Sequence, residues 1–225
     1  MVCSVLLAAV SEGLKAKQEF NANLDVKKNI LKAVHLKEPV PAKASAKDIL
    51  KIYESKIEEL VVDDQGRPVE GKKLSQITEK EPNLHPLYIY KEGEGEGEIV
   101  AYCFPIVGQG LWSTLYGYFA LEADATTVRG ITFYKHGETP GLGAEIEKDW
   151  FQNNFLGKKI WSKKANQLTP IAVVKGRVAD HYHGEQAEHY VDGITAATIT
   201  SNGVTKMLDK WIRAYEPYLS KIRKG

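Results

Sequence analysis

The sequence predicts an α+β domain, an antiparallel sheet core with packed helices, preceded by the remnant of one N-terminal transmembrane helix. Three observations lead there. The middle of the chain carries runs rich in β-branched and aromatic residues at 87–90, 99–104, 113–121 and 128–134, which is strand composition. Near the C-terminus Val204, Met207, Leu208, Trp211, Ile212, Tyr215, Leu219 and Ile222 recur at helical spacing. The chain opens on an uncharged apolar run, MVCSVLLAAV. Its 225 residues suit one domain with an N-terminal appendage.

The apolar run at 1–10 is too short for a bilayer span, which takes roughly 20 residues. Ser11, Glu12, Lys15 and Lys17 stop it from extending forward. It reads as the C-terminal half of a transmembrane helix that begins upstream, or as a short buried helix of the domain. Leu24, Ile30, Leu31 and Val34 predict a helix over 24–36, and Pro39 and Pro41 make 37–43 a stiff connector. Ser45 with Asp48 three residues later has the form of an N-cap ahead of Ile49, Leu50, Tyr53, Ile57 and Leu60, a second amphipathic helix. A turn follows at 63–66. The strands at 87–90 and 99–104 flank an acidic, glycine-rich stretch at 92–98, which reads as a solvated hairpin tip. Residues 145–155 read as a helix and 168–174 as a strand. The C-terminal helix runs up to and past Pro217, with Thr200, Ser201 and Asn202 where an N-cap belongs. These elements divide the chain into a membrane-anchor end at 1–20, a helical region at 21–84 and the main domain at 85–225.

Composition narrows the chemistry. A formal net charge of +1 with interspersed lysines and glutamates gives no footprint for nucleic acid. The two cysteines, Cys3 and Cys103, form no CxxC pair, so thiolate zinc or an iron–sulfur cluster is not expected from this chain alone. No glycine fingerprint for a dinucleotide or a nucleotide phosphate occurs, so NADH binding is not expected here. His181, His183 and His189 fit no common zinc spacing and read as a surface loop. Glu138 beside His136 resembles an acid/base pair, yet no nucleophile motif accompanies it.

Three segments carry candidate chemistry. Residues 191–201, VDGITAATITS, run directly into the C-terminal helix. Unpaired N–H groups and the positive dipole end of a helix favour an anion there, and Thr195 and Thr198 stand where a phosphate could be cradled. Hydroxyl-rich helix starts also serve as caps alone, and both readings stay open on these residues. Residues 136–146, HGETPGLGAEI, place Leu142 between Gly141 and Gly143 in a turn; it offers itself to a flat apolar partner or tucks into the core. Residues 107–118, VGQGLWSTLYGY, put Trp112 after a glycine-bearing turn, where it stacks on a planar ring or joins the core.

Together these segments carry a family resemblance. DGITAAT (192–198) resembles the flavinylation motif of the FMN-binding domain family, Asp-Gly-x-Ser/Thr-Gly-Ala-Thr. HGETPGLG resembles that family's flavin-facing loop, and GLWSTLYGYFAL resembles a stretch of the C-subunit family of sodium-translocating NADH:quinone reductases. The resemblance implies covalent FMN on Thr198 through a phosphoester, with Thr195, Ala197, Asp192 and Gly193 around the phosphate end. It implies that Leu142, Thr139 and Trp112 pack on the isoalloxazine beside Leu111, Gly141 and Gly143, and that Glu138 lies near the ring's polar edge. It also implies a separate flavin transferase acting transiently, partner subunits in a membrane redox pump, and no complete active site in this chain alone. The expected location is the bacterial inner membrane, single-pass, with the domain extracytoplasmic. The G subunit of the related ferredoxin:NAD reductase and a stand-alone flavin-binding module are the alternative readings. One position departs from the motif: Ala196 stands where the family has glycine. A positive φ there would strain alanine by about 1 kcal/mol; a need for small size alone would tolerate it.

Overall fold

The computed structural model describes residues 2–34, 44–78, 80–93 and 97–224, and for 2–13 and 16 the backbone alone. The expected connector at 37–43 and the centre of the acidic hairpin tip, 94–96, lie outside the described residues.

The sheet is a meander of five antiparallel strands in sequence order: β1 (Ile57–Asp63), β2 (Leu84–Glu92), β3 (Glu98–Gln109), β4 (Thr114–Glu122) and β5 (Val128–Lys135). Its central strands are buried on both faces, which is why their sequences read as nearly continuous apolar runs. One face presents Leu87, Phe104, Ile106, Phe119 and Leu121 to a core completed by the C-terminal helix. The other presents Tyr88, Tyr90, Cys103, Tyr118 and Ala120 to the N-terminal helices. Cys103 is a free, fully buried thiol.

Two helices cover that second face. In α1 (Val2–Ala33) the positions Leu24, Ile30 and Leu31, followed by Val34 in the turn beyond it, are buried. Residues 14, 15 and 17–23 of α1 are exposed. No helix of the described residues is long and apolar enough to cross a membrane. The start of α2 (Ala46–Lys56) is a complete capping box: Asp48 N–H donates to Ser45 Oγ at 3.2 Å and Ser45 N–H to Asp48 Oδ2 at 3.1 Å. Such a cap contributes about 1 kcal/mol.

Three expectations need correction. The helix starting at Ser45 stops at Lys56, and residues through Leu60 are not part of it; β1 begins at once and pairs with β2 from Ile57↔Tyr90 to Asp63↔Leu84. The sheet therefore crosses the boundary expected at 84/85. Residues 145–155 form no single helix but a 3-10 segment, Gly143–Glu147, and a short α3 (Asp149–Asn153). The strand expected at 168–174 is broken by Thr169 and Pro170. It contributes to two separate pairs: β6 (Trp161–Ser162) with β7 (Gln167–Leu168), and β8 (Ala172–Val173) with β9 (Tyr190–Val191).

The C-terminal helix, α4 (Thr198–Lys224), lies across the first face and continues through Pro217. Phe104 and Tyr215 stack at 4.1 Å between ring centres. Trp211 Nε1 donates to the Val107 carbonyl at 2.7 Å and Tyr215 Oη to that of Pro86 at 2.5 Å. These side chains pin α4 to β2 and β3, and so fix where its N-terminus emerges.

Candidate functional site at the N-terminus of the C-terminal helix

The chain reaches α4 through a tightly held turn. Asp192 Oδ1 accepts from Val178 N–H at 2.7 Å, and Gly193 N–H donates to the Gly176 carbonyl at 2.8 Å. A Cβ on Gly193 would stand 2.1 Å from the Val174 carbonyl oxygen, so only glycine lets the backbones approach this closely. Ala197 N–H closes a turn on Ile194 O at 3.1 Å, and Ser201 N–H reaches Ala197 O at 3.0 Å as the first helical bond. Between them Ala196 takes φ +59°, the left-handed conformation that turns the chain into the helix. Ala197 is buried, whereas Thr195, Ala196, Thr198 and Ile199 are exposed. Thr198 thus presents a free hydroxyl at the positive end of a 27-residue helix. The helix starts before the residues expected to cap it: Thr200 and Ser201 lie inside its first turn and are buried.

A second segment is locked to that turn by Glu138, whose side chain is only 5% exposed. Thr200 Oγ1 donates to Glu138 Oε2 at 2.6 Å. The backbone N–H groups of Leu111, Trp112 and Ser113 donate to the same carboxylate at 3.1, 3.0 and 3.1 Å, and Ser113 Oγ at 3.3 Å. Burial pushes the carboxyl up, but the Thr200 hydroxyl and the N–H groups of Trp112, Leu111 and Ser113 outweigh it and hold it below the usual glutamate range. One carboxylate therefore clasps three segments: 110–113, 136–143 and the first turn of α4. Gly143 belongs to the clasp, because a Cβ there would lie 2.6 Å from Thr200 Oγ1 and 2.7 Å from Glu138 Oε2. The Thr139 carbonyl accepts from Leu142 and Ala144 N–H, each at 3.1 Å, and Gly141 makes the reversal at φ +73°.

The clasp gathers apolar side chains that are not themselves buried. Trp112 is 67% exposed, Ile199 58%, Leu111 43% and Leu142 40%. Each is bonded to Glu138 through its backbone or adjoins a residue that touches it. The opposite flank of the same helix turn opens on a cleft of about 500 Å³, between 173–176 and 193–202, with Lys175, His181 and Thr198 among its walls. His181 and His183 are exposed, His189 is buried with its Nδ1 2.6 Å from the Lys159 carbonyl, and no metal-holding cluster of His, Cys, Asp or Glu occurs among the described residues. Sequence reasoning missed Thr200 and Ile199 as parts of the site. Helical periodicity carried back to Thr198 would have placed Thr200 on the inner face and Ile199 outside.

Comparison with known proteins places the chain. Residues 110–213 match the FMN-binding domain family. The sequence is 34% identical to the C subunit of the Na(+)-translocating NADH-quinone reductase of Yersinia pestis, over all of this chain and 90% of that relative. The chain belongs to this C-subunit family. The C subunit of the Vibrio alginolyticus reductase is 32% identical over all of this chain and 91% of its own. Among solved structures, the corresponding C subunit of Parabacteroides distasonis superposes with a TM-score of 0.76 at 32% identity, covering 92% of this chain and 97% of that one. The family match begins at Gly110, the first residue of the clasped loop, and runs through the first four turns of α4.

Proposed function

We propose that this chain is the FMN-carrying electron-transfer subunit of a sodium-pumping NADH:quinone reductase, with the FMN bound covalently through its phosphate to Thr198. The observation that carries the reading is the exposed Thr198 hydroxyl at the start of α4 beside four exposed apolar residues, Leu111, Trp112, Leu142 and Ile199, held together by Glu138. A flat, partly apolar ring with an anionic tail fits that set: aliphatic and indole surface for the ring, a helix N-terminus for the tail. When bound, FMN supplies the redox chemistry.

The protein's own residues orient the group and limit its motion. Gly193 and Asp192 set the turn that presents Thr198. Thr195 stands beside it, and the buried Ala197 anchors the turn. Thr139, Gly141 and Gly143 shape the loop that holds Leu142 out. Glu138 acts from beneath as a positioning residue, since five donors already fill its oxygens. Attachment by a transferase with FAD as donor forms one bond from Thr198 Oγ to the flavin-side phosphorus. It releases AMP, and the hydroxyl proton goes to solvent or to a base. The family's membrane complex supplies the remaining subunits. The region at 85–225, completed by β1 from the region at 21–84, lies outside the cytoplasm, tethered by the segment at 1–20; protease added to intact spheroplasts should clip it, and protection until lysis would rule that placement out.

The deciding experiment is the intact mass of chain coexpressed with and without the transferase. Thr198→Ala should abolish the flavin fluorescence that survives denaturation, and Thr198→Ser should keep part of it. Thr195→Ala is the clean control because Thr195 is exposed; Thr200→Ala also breaks the clasp. Covalent flavin on Thr198→Ala, lost instead on Thr195→Ala, would place the attachment elsewhere.

A further inference from the structure

The cleft on the far flank of Thr198 has no role so far. It is lined by Val173, Val174 and Ile194, by Lys175 and His181, and by the polar residues Thr195, Thr198, Ser201 and Asn202. Among the described residues no carboxylate lines it. The opposite flank is built around the Glu138 carboxylate, which repels an anion.

Ser201 is the unexplained member. It is 3% exposed, and its Oγ is buried with no hydrogen-bond partner. Buried hydroxyls are normally paired. A serine inside a helix usually bonds back to the carbonyl four residues earlier, but here Ala197 O receives only the Ser201 N–H. Thr205, one turn on, shows the structural alternative: its Oγ1 donates to Ser201 O at 3.1 Å and accepts from Val173 N–H at 2.9 Å. Ser201 lies three residues past Thr198 on the same helix side, and both line the cleft.

We infer that this cleft is a phosphate-group site in which Ser201 Oγ is the buried donor and Lys175 supplies the opposing charge. The inference rests on the reading that Thr198 carries FMN, and it assigns the two flanks of Thr198 different halves of the ligand. The phosphate turns into the cleft, and the ring lies over the apolar residues around Glu138.

The test uses the full chain carrying Thr198→Ala, which can bind flavin only reversibly. FMN should bind at least about tenfold more tightly than riboflavin, the same ring without the phosphate, since a hydrogen bond to a charged group has that worth. Adding Ser201→Ala should weaken FMN about tenfold and leave riboflavin unchanged. Adding Lys175→Gln should also narrow the preference and flatten its salt dependence. Ser201→Ala should leave the melting temperature unchanged or raise it, because it removes an unpaired buried hydroxyl. Equal binding of FMN and riboflavin, or a Ser201→Ala effect equal on both, would overturn the proposal. If free flavin binds too weakly to measure, inorganic phosphate titrated into the wild-type chain should move the backbone amide NMR signals of 175–176 and 193–202, and Ser201→Ala should abolish the movement. Unmoved signals overturn the proposal. A wild-type chain that gains no covalent FMN but still prefers FMN to riboflavin would refute attachment at Thr198 and leave the cleft standing. Covalent FMN without that preference would do the reverse.

Discussion

On one side of the first turn of α4, Thr200 donates to a carboxylate that four other donors also fill. On the other side, Ser201 is just as buried and donates to nothing among the described residues. The two hydroxyls are neighbours in sequence and differ in what they serve. A completed buried network rigidifies the protein and leaves no capacity for a ligand. An uncompleted one costs stability and keeps a donor in reserve. Thr198 lies on the Ser201 side and lines the same cleft, so the same helix start carries both a rigid support and an open cleft.

The sharpest way to break this comparison is to remove the carboxylate. Glu138→Ala should cost ~3–4 kcal/mol, because it strands the Thr200 hydroxyl and the loop N–H groups together. Glu138→Gln keeps the shape but offers one acceptor oxygen and an NH2 facing donors, so about half that loss is expected. Equilibrium urea unfolding measures both. Ser201→Ala on the other flank should move the same transition little or upward; a loss matching that of Glu138→Ala would end the distinction between the flanks.

The charge on Glu138 adds a pH signature. Its folded carboxyl is held below the ordinary range, so the unfolded chain takes up the proton at higher pH than the folded one does. The network's contribution is therefore complete above the ordinary glutamate range and is lost as pH falls through the depressed folded value. The stability gap between wild type and Glu138→Gln should be flat near neutrality and narrow in acid. A gap that stays constant would mean that the charge does not matter to the clasp.

Gly143→Ala strikes the same network by crowding. Its Cβ would sit 2.6 Å from Thr200 Oγ1 and 2.7 Å from Glu138 Oε2, and overpacking of this kind costs about 1–3 kcal/mol. In the Glu138→Ala background half of the obstruction is gone, so the cost should shrink by a measurable coupling term. Strict additivity in the double-mutant cycle would show that Gly143 is needed for another reason.

These effects also mark what the sequence could and could not reveal. Local chemistry was legible: the Ser45 cap follows from Asp48 three residues on, and the path of α4 from its apolar spacing. Ile57 and Leu60 continue a helical spacing equally well, yet they lie in β1, because pairing with residues 84–90 outweighs the local preference. Leu142 and Trp112 are conspicuous as apolar residues stranded beside glycines, and both are exposed. The Glu138 clasp was hidden, since its donors come from positions 25 to 62 residues away and only the folded chain assembles them. Ser201 resembled a cap because the true start of α4 depends on a left-handed residue that composition does not announce.

That residue gives the smallest and most local test. Ala196 sits at φ +59°, at the position where the resembled flavinylation motif has glycine. An alanine held in the left-handed region costs roughly 1–2 kcal/mol, while glycine loses about 0.5–1 kcal/mol more backbone entropy on folding. Ala196→Gly should therefore stabilise the chain by only ~0.5–1 kcal/mol. Ala196→Val, whose branched side chain tolerates this conformation worse, should destabilise it. The Ala196 side is exposed, so neither change fills nor empties a core, and the difference between the two variants reports backbone strain almost alone. If Ala196→Gly lowered stability, the left-handed turn would not be the conformation that launches α4, and the presentation of Thr198 would need another geometry. If stability rose while the covalent flavin content of transferase-treated protein stayed the same, the departure from the motif would be strain the fold absorbs, with no cost to recognition by the modifying enzyme.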